Sequence, residues 1–143
     1  MKTQNQLFKL IWFVYPLTKL VYAYIAYSSH TEIDNSFQTL CLIFLLIGIA
    51  CSCISMILSK KIYKKSFYEN KIVSTFLGNK ASNREATTFT LFTMLLGLAE
   101  STALFGLVQY LMTGNLIVAG LLFAFCFIAW IFNFPSNQEV EEE

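Results

Sequence analysis

Four long apolar runs separated by short polar stretches organise this chain, covering residues 8–27, 37–58, 86–112 and 116–134. Each is near the ~20 residues an α-helix needs to cross ~30 Å of hydrocarbon. Helix is the expected form, because backbone polar groups in lipid have to be satisfied within their own segment. The pattern predicts an all-α membrane protein whose four transmembrane helices form two hairpins.

Charge placement gives this reading an orientation. Of the ten basic residues, seven lie between Ser59 and Glu85, which puts that connection on the cytoplasmic side by the positive-inside rule. Both ends of the chain are then cytoplasmic as well, an N-in, C-in topology that agrees with Lys2 ahead of the first run and Lys9 at its start. The connections "SSHTEIDNS" and "TGN" face outside. The expected location is a bacterial inner (cytoplasmic) membrane.

Inside the basic connection, Lys60, Lys61, Lys64 and Lys65 are expected to ride on a helical extension of the second span, each gaining about 1 kcal/mol from anionic lipid headgroups. Ile72, Val73, Phe76 and Leu77 then gather on one side of a short cytoplasmic interfacial helix that Gly78-Asn79 can end. Ser82-x-x-Glu85 has capping-box form and should start the third span. The acidic segment 135–143 is read as a disordered tail.

With 143 residues, 56% of them hydrophobic, and a net charge near zero, the composition adds exclusions. Its basic residues form no patch interleaved with stacking aromatics, so nucleic acid is not expected as a partner. Cys41, Cys51, Cys53 and Cys126 all fall inside apolar runs and read as small packing residues; Cys51-x-Cys53 lacks both the spacer and the second ligand pair of a zinc site. His30, Glu32 and Asp34 share a short exterior loop and read as solvated. No metal and no cofactor are expected, and no nucleophile, phosphate-cradling loop or carboxylate pair nominates an enzyme. Lys19 and Pro16 break the first run too early for a signal peptide.

Apart from Lys9 at the cytoplasmic end of the first span, two charges remain inside the spans. Measured at 1.5 Å per residue from the cytoplasmic ends, Lys19 lies ~17 Å into the first span and Glu100 ~21 Å into the third. An unpaired charge at that depth costs at least ~3 kcal/mol, so the two are expected to pair. Trp12, Tyr15, Pro16, Lys19, Tyr22, Ala23 and Ala26 share one helical face, which brings two tyrosine hydroxyls beside the amine. Thr90, Thr93, Gly97, Glu100 and Ala103 share a small and polar stripe expected to face the bundle interior. Pro16 frees the carbonyl of Trp12 and favours a kink there. In the second span Gly48, Cys51, Ser52 and Ser55 make a further small stripe, and the bulky fourth span is expected to be the most lipid-exposed.

The run Ala99-Glu100-x-x-Ala103-Leu104-Phe105-Gly106-Leu107-Val108 resembles the carboxylate helix of the proteolipid (c subunit) family of rotary ATPases. Second span, cytoplasmic loop and third span also match the proteolipid hairpin in order and orientation. The resemblance implies that Glu100 binds a proton or Na⁺, with Ala103 and Gly106 as the small residues beside it, in a homo-oligomer. The family's glycine-rich preceding helix and its Arg-Asn/Gln-Pro loop have no counterpart here. Two functional expectations follow. One is an ion-binding or ion-translocating subunit using Glu100, Lys19, Tyr15, Tyr22 and Thr93, with Gly97, Ala103, Gly106, Gly48 and Ser52 at helix contacts. The other is a non-transporting assembly subunit, joined to a membrane-protein partner, in which Glu100 and Lys19 form a structural pair.

Overall fold

The computed structural model describes residues 2–29, 32, 38–77 and 84–135. Seven helices follow in order among these residues: α1 (Lys2–Val14), α2 (Pro16–Ser28), α3 (Gln38–Ser59), α4 (Lys65–Glu69), α5 (Lys71–Leu77), α6 (Arg84–Thr113) and α7 (Leu116–Phe132). No strand occurs among the described residues. The Gly78-Asn79 stop, the capping box of Ser82 and the Glu85 side chain, the loop residues His30 and Asp34, and the tail from Ser136 onward lie outside them.

Three stretches are long and apolar enough to cross a membrane: Gln6–Ser28, Gln38–Ser59 and Ala86–Thr113. The apolar helix α7 is shorter, at 17 residues, or ~26 Å of rise. Its backbone continues past Phe132 in tighter turns, with Asn133 N–H donating to the Ala129 and Trp130 carbonyls and Phe134 N–H to that of Ile131.

The core is the three-way contact of α3, α6 and α7. Helix α3 buries Cys41, Gly48, Ser52, Ser55 and Ser59, while α7 buries Ala119, Leu122, Cys126 and Ala129. Spacings of three, four and seven residues keep each set on one helical face. Nearly all of these residues are small, so the backbones approach closely. That is the means by which helices associate where lipid removes the hydrophobic drive between them. Helix α6 lies between the other two and fills the space with Leu95, Leu96, Ala99, Thr102, Ala103 and Leu107.

Polar groups in this core are bonded across helices. Thr102 Oγ1 lies 2.9 Å from the Gly48 carbonyl and 2.8 Å from Ser52 Oγ, and Ser55 Oγ donates to the Leu95 carbonyl at 2.8 Å. At the basic end Asn133 Nδ2 donates to Ser55 Oγ at 2.8 Å and to the Ala129 carbonyl at 2.7 Å. At the opposite end Gln109 Nε2 reaches Thr113 Oγ1 at 2.6 Å and Cys41 Sγ at 3.2 Å. Those that join two helices contribute ~0.6 kcal/mol each on average in a membrane bundle and fix which faces meet, whereas Asn133–Ala129 and Gln109–Thr113 stay within one helix or its end.

The turn between α6 and α7 follows from two residues. Gly114 adopts φ 67°, a left-handed conformation that costs glycine little, and its N–H donates to the Tyr110 carbonyl at 2.8 Å. Asn115 Oδ1 then accepts from Val118 N–H at 3.2 Å and caps α7.

Two expectations about helix placement are corrected. Helix α7 is not the most exposed: its small face is buried in the core, whereas in the first span only Phe8 and Lys19 are buried. Bulk in α7 misled because its alanines and Cys126, not its phenylalanines, decide which face packs. Second, α3 does not extend through the lysines. It ends at Ser59 and the chain turns over Lys60–Tyr63, because Ile62, 1% exposed, tucks into a cluster with Phe8, Phe92, Leu95 and Leu96.

Candidate functional site: the intramembrane ion pair

The first span is two helices that break at Tyr15. Pro16 has no N–H to give, so the Trp12 carbonyl loses its normal partner in the ladder. Trp130 supplies a replacement: its Nε1–H donates to the Trp12 carbonyl at 2.9 Å. The exchange is mutual, since Trp12 Nε1–H donates to the Trp130 carbonyl at 2.9 Å, and the rings stack with centroids 4.2 Å apart. Phe134 closes on the edge of Trp12 at 4.9 Å.

Phe8, Trp12, Tyr15 and Lys19, at spacings of four, three and four, fasten the span to the core. Phe8 packs on Phe89 and Phe92, with centroids 5.3 and 4.8 Å away. The Tyr15 hydroxyl donates to the Leu96 carbonyl of α6. One turn further along, the Lys19 amine is hydrogen-bonded to Glu100 Oε2 in an ion pair whose side chains are 10% and 19% exposed. Four points of attachment at near-heptad spacing make one continuous seam.

The amine is held from several directions. Lys19 Nζ also donates to Thr18 Oγ1 at 3.1 Å and to the Tyr15 carbonyl at 3.3 Å, and it lies 3.1 Å from the centroid of the Tyr15 ring. The same Tyr15 carbonyl takes a 3.4 Å backbone contact from Thr18 N–H and a 2.8 Å bond from the Thr18 hydroxyl, so the amine shares it with Thr18. The carboxylate is less completely satisfied: Glu100 Oε1 is buried and has no hydrogen-bond partner among the described residues.

Not every residue of the expected constellation joins the pair. Tyr15 contributes through its ring and carbonyl, while its hydroxyl is committed to Leu96. Tyr22 is half-buried, and no hydrogen bond joins its hydroxyl to another described residue. Thr93 is exposed and its hydroxyl donates to the Phe89 carbonyl at 3.0 Å, on its own helix; Thr90 does the same to Ala86 at 2.9 Å. A threonine that satisfies itself against the preceding turn can face lipid, so a polar stripe need not face inward. Gly97 is likewise on the surface, with nothing within 4 Å of where a Cβ would stand. Gly48, Ser52, Ala103 and Gly106 do lie at helix contacts.

Beyond Lys19 the seam opens. Ala23 and Tyr27 are exposed and Ala26 is half-buried, leaving a groove of about 400 Å³ whose walls include Ala23, Ala26, Leu107, Tyr110, Ala119 and Gly120. The groove is apolar, and neither Lys19 nor Glu100 is among the residues that line it. Among the described residues no three His, Cys, Asp or Glu side chains come together.

Sequence reading passed over Thr18, Gln109, Thr102 and Asn133. The first adjoins Lys19 in sequence, and a hydroxyl there is a readable signal. The others are single polar residues at core positions of apolar helices, recognisable once the buried faces are known. Compared with protein-family models, curated proteins and solved structures, the chain matches none of them.

Proposed function

We propose that this chain is a non-transporting assembly subunit of a bacterial inner membrane, in which the Lys19–Glu100 pair locks the N-terminal span onto a three-helix core. The observation that carries this reading is that the Lys19 amine meets the Glu100 carboxylate within one chain, with Tyr15 and Thr18 completing its shell. A carboxylate neutralised in this way is a fastening rather than a carrier. Single charges at such depth are costly, and pairing is the least expensive way to keep both. Where the seam opens, the small side chains of the first span and α7 offer a face to a further membrane protein.

In this reading the chain crosses the bilayer four times as two hairpins, α7 included, with both termini and the α3–α6 connection in the cytoplasm. The basic bias of that connection supports the orientation. Labelling with a membrane-impermeant thiol reagent tests it: Lys61→Cys should react only in inverted vesicles or opened cells. Reaction from the outside of intact cells defeats the orientation.

A second reading is favoured by one observation, the unpartnered Glu100 Oε1. There the chain is proteolipid-like and binds or moves a proton or Na⁺ as a homo-oligomer. Labelling with a carboxyl-directed carbodiimide separates the two, because such reagents attack the protonated acid in apolar surroundings. The assembly reading expects wild-type Glu100 to resist labelling with or without Na⁺, and expects Lys19→Met to make it reactive. Rapid wild-type labelling that Na⁺ suppresses would establish ion handling instead.

A further inference from the structure

We propose that the turn after α3 is a built recognition site for anionic phospholipid headgroups, formed by Lys60, Lys61 and Lys64. Between Lys60 and Leu77 five lysines stand against one acidic residue, Glu69. A basic sequence alone would attract such lipids diffusely. The structure adds a rigid mount.

Ile62 is the centre of that mount. It is buried among Phe8, Phe92, Leu95 and Leu96 while its neighbours Lys60 and Lys61 are exposed, and Lys64 is exposed beyond the half-buried Tyr63. Backbone bonds fix the turn, with Lys61 N–H and Ile62 N–H donating to the Leu58 carbonyl at 2.9 and 3.1 Å and Lys64 N–H to the Lys61 carbonyl at 3.0 Å. A side-chain strap closes it: the Tyr68 hydroxyl donates to the Ile62 carbonyl at 2.7 Å and lies 2.7 Å from Thr88 Oγ1 on α6. Three ammonium groups therefore leave a backbone whose position is set by the core. Less rotational freedom is lost on binding than in a loose basic segment.

The mount also stands at the level of a headgroup. Lys60 Nζ lies 5.6 Å from the centroid of the Phe132 ring at the end of α7, and the Trp12–Trp130 stack is on the same end of the bundle. Aromatic rings of this kind mark the membrane–water boundary. Immediately beyond, α5 presents Ile72 with 80% of its surface exposed beside the exposed Lys71. An exposed isoleucine next to lysine suits the boundary between acyl chain and phosphate. The charge complement of such a surface is the phosphate of a lipid whose headgroup carries no compensating amine, such as phosphatidylglycerol.

The test uses the full chain, purified in mild detergent and supplied with equimolar phosphatidylglycerol and phosphatidylcholine. Lipid retained on the protein is then measured by native mass spectrometry. The wild type should retain phosphatidylglycerol preferentially, and addition of inorganic phosphate at equal concentration should not displace it. Lys60→Gln with Lys61→Gln and Lys64→Gln should reduce the preference by at least about fivefold, the value of a single lysine near an anionic surface. The triple arginine variant should keep it. The substituted side chains are exposed, so each variant's helical circular dichroism should match the wild type. Equal retention of the two lipids by the wild type, displacement by inorganic phosphate, or an undiminished preference in the glutamine variant overturns the proposal.

Discussion

Glu100→Ala should destabilise the protein by about 3–5 kcal/mol, because it leaves Lys19 charged, its side chain only 10% exposed, and without its carboxylate. The remaining shell does not substitute for it. Thr18 and the Tyr15 carbonyl are already bonded to the amine, and the Tyr15 ring already lies against it. Glu100→Gln should cost less, since an amide oxygen can still accept from the amine. Its loss is that of charge, not of the hydrogen bond. The informative variant replaces both partners. Lys19→Met with Glu100→Met exchanges a buried ion pair for apolar side chains of similar volume, a change that is commonly neutral or stabilising. Unfolding in mixed micelles should then return to within about 1 kcal/mol of the wild type. If the double variant is as unstable as Glu100→Ala, the pair is not the fastening inferred here. If it is stable and its cellular partner remains bound, the charge has no further duty. A stable double variant that has lost its cellular role would instead support the ion-handling reading.

The seam explains which parts of this arrangement the sequence made legible. Lys19 and Glu100 were readable as partners because charge in lipid leaves few alternatives, and a depth count at 1.5 Å per residue brings them to the same level. The freed carbonyl of Trp12 was readable too, since Pro16 removes its donor by covalent structure alone. That Trp130 supplies the replacement was not. Its indole lies 118 residues away, and only the packing of α7 brings it near. Polar stripes were the less dependable guide. Thr90 and Thr93 looked inward-facing, yet a hydroxyl that donates four residues back is satisfied wherever its helix points. Side-chain size was the better signal: the buried face of α7 is marked by Ala119, Cys126 and Ala129 at three- and seven-residue spacings, against the impression of bulk that its phenylalanines give. The end of α3 depended on tertiary context. Nothing local in "SKKIYKK" stops a helix, and it is the cluster receiving Ile62 that turns the chain.

Glycine substitutions should separate the contacts that hold the core from those that only look small in sequence. At Gly106 a Cβ would lie 3.1 Å from Leu122 Cβ, 3.3 Å from the Ala119 carbonyl oxygen and 3.4 Å from Phe123 Cδ2. The first two belong to, or are fixed by, the α7 backbone, so Gly106→Leu has to push α7 away from α6. A loss of about 3 kcal/mol, the upper range for overpacking, is expected. Gly97→Leu adds the same atoms to the same helix where nothing lies within 4 Å, and should be neutral or gain up to ~1 kcal/mol from helix propensity. Gly48 is the subtler case. A Cβ there would lie 2.5 Å from Leu122 Cδ2, the nearest approach of the three, but that atom is the end of a movable side chain. Leu122→Ala should therefore relieve most of the damage of Gly48→Ala and almost none of that of Gly106→Ala, because the Cβ at position 122, which alanine keeps, and the Ala119 carbonyl both remain in place. Double-variant cycles measured by unfolding in micelles report this directly as coupling energies. Equal relief at both positions would mean that α7 yields to α6 as readily as a leucine rotates, and the rigid three-helix core would have to be abandoned.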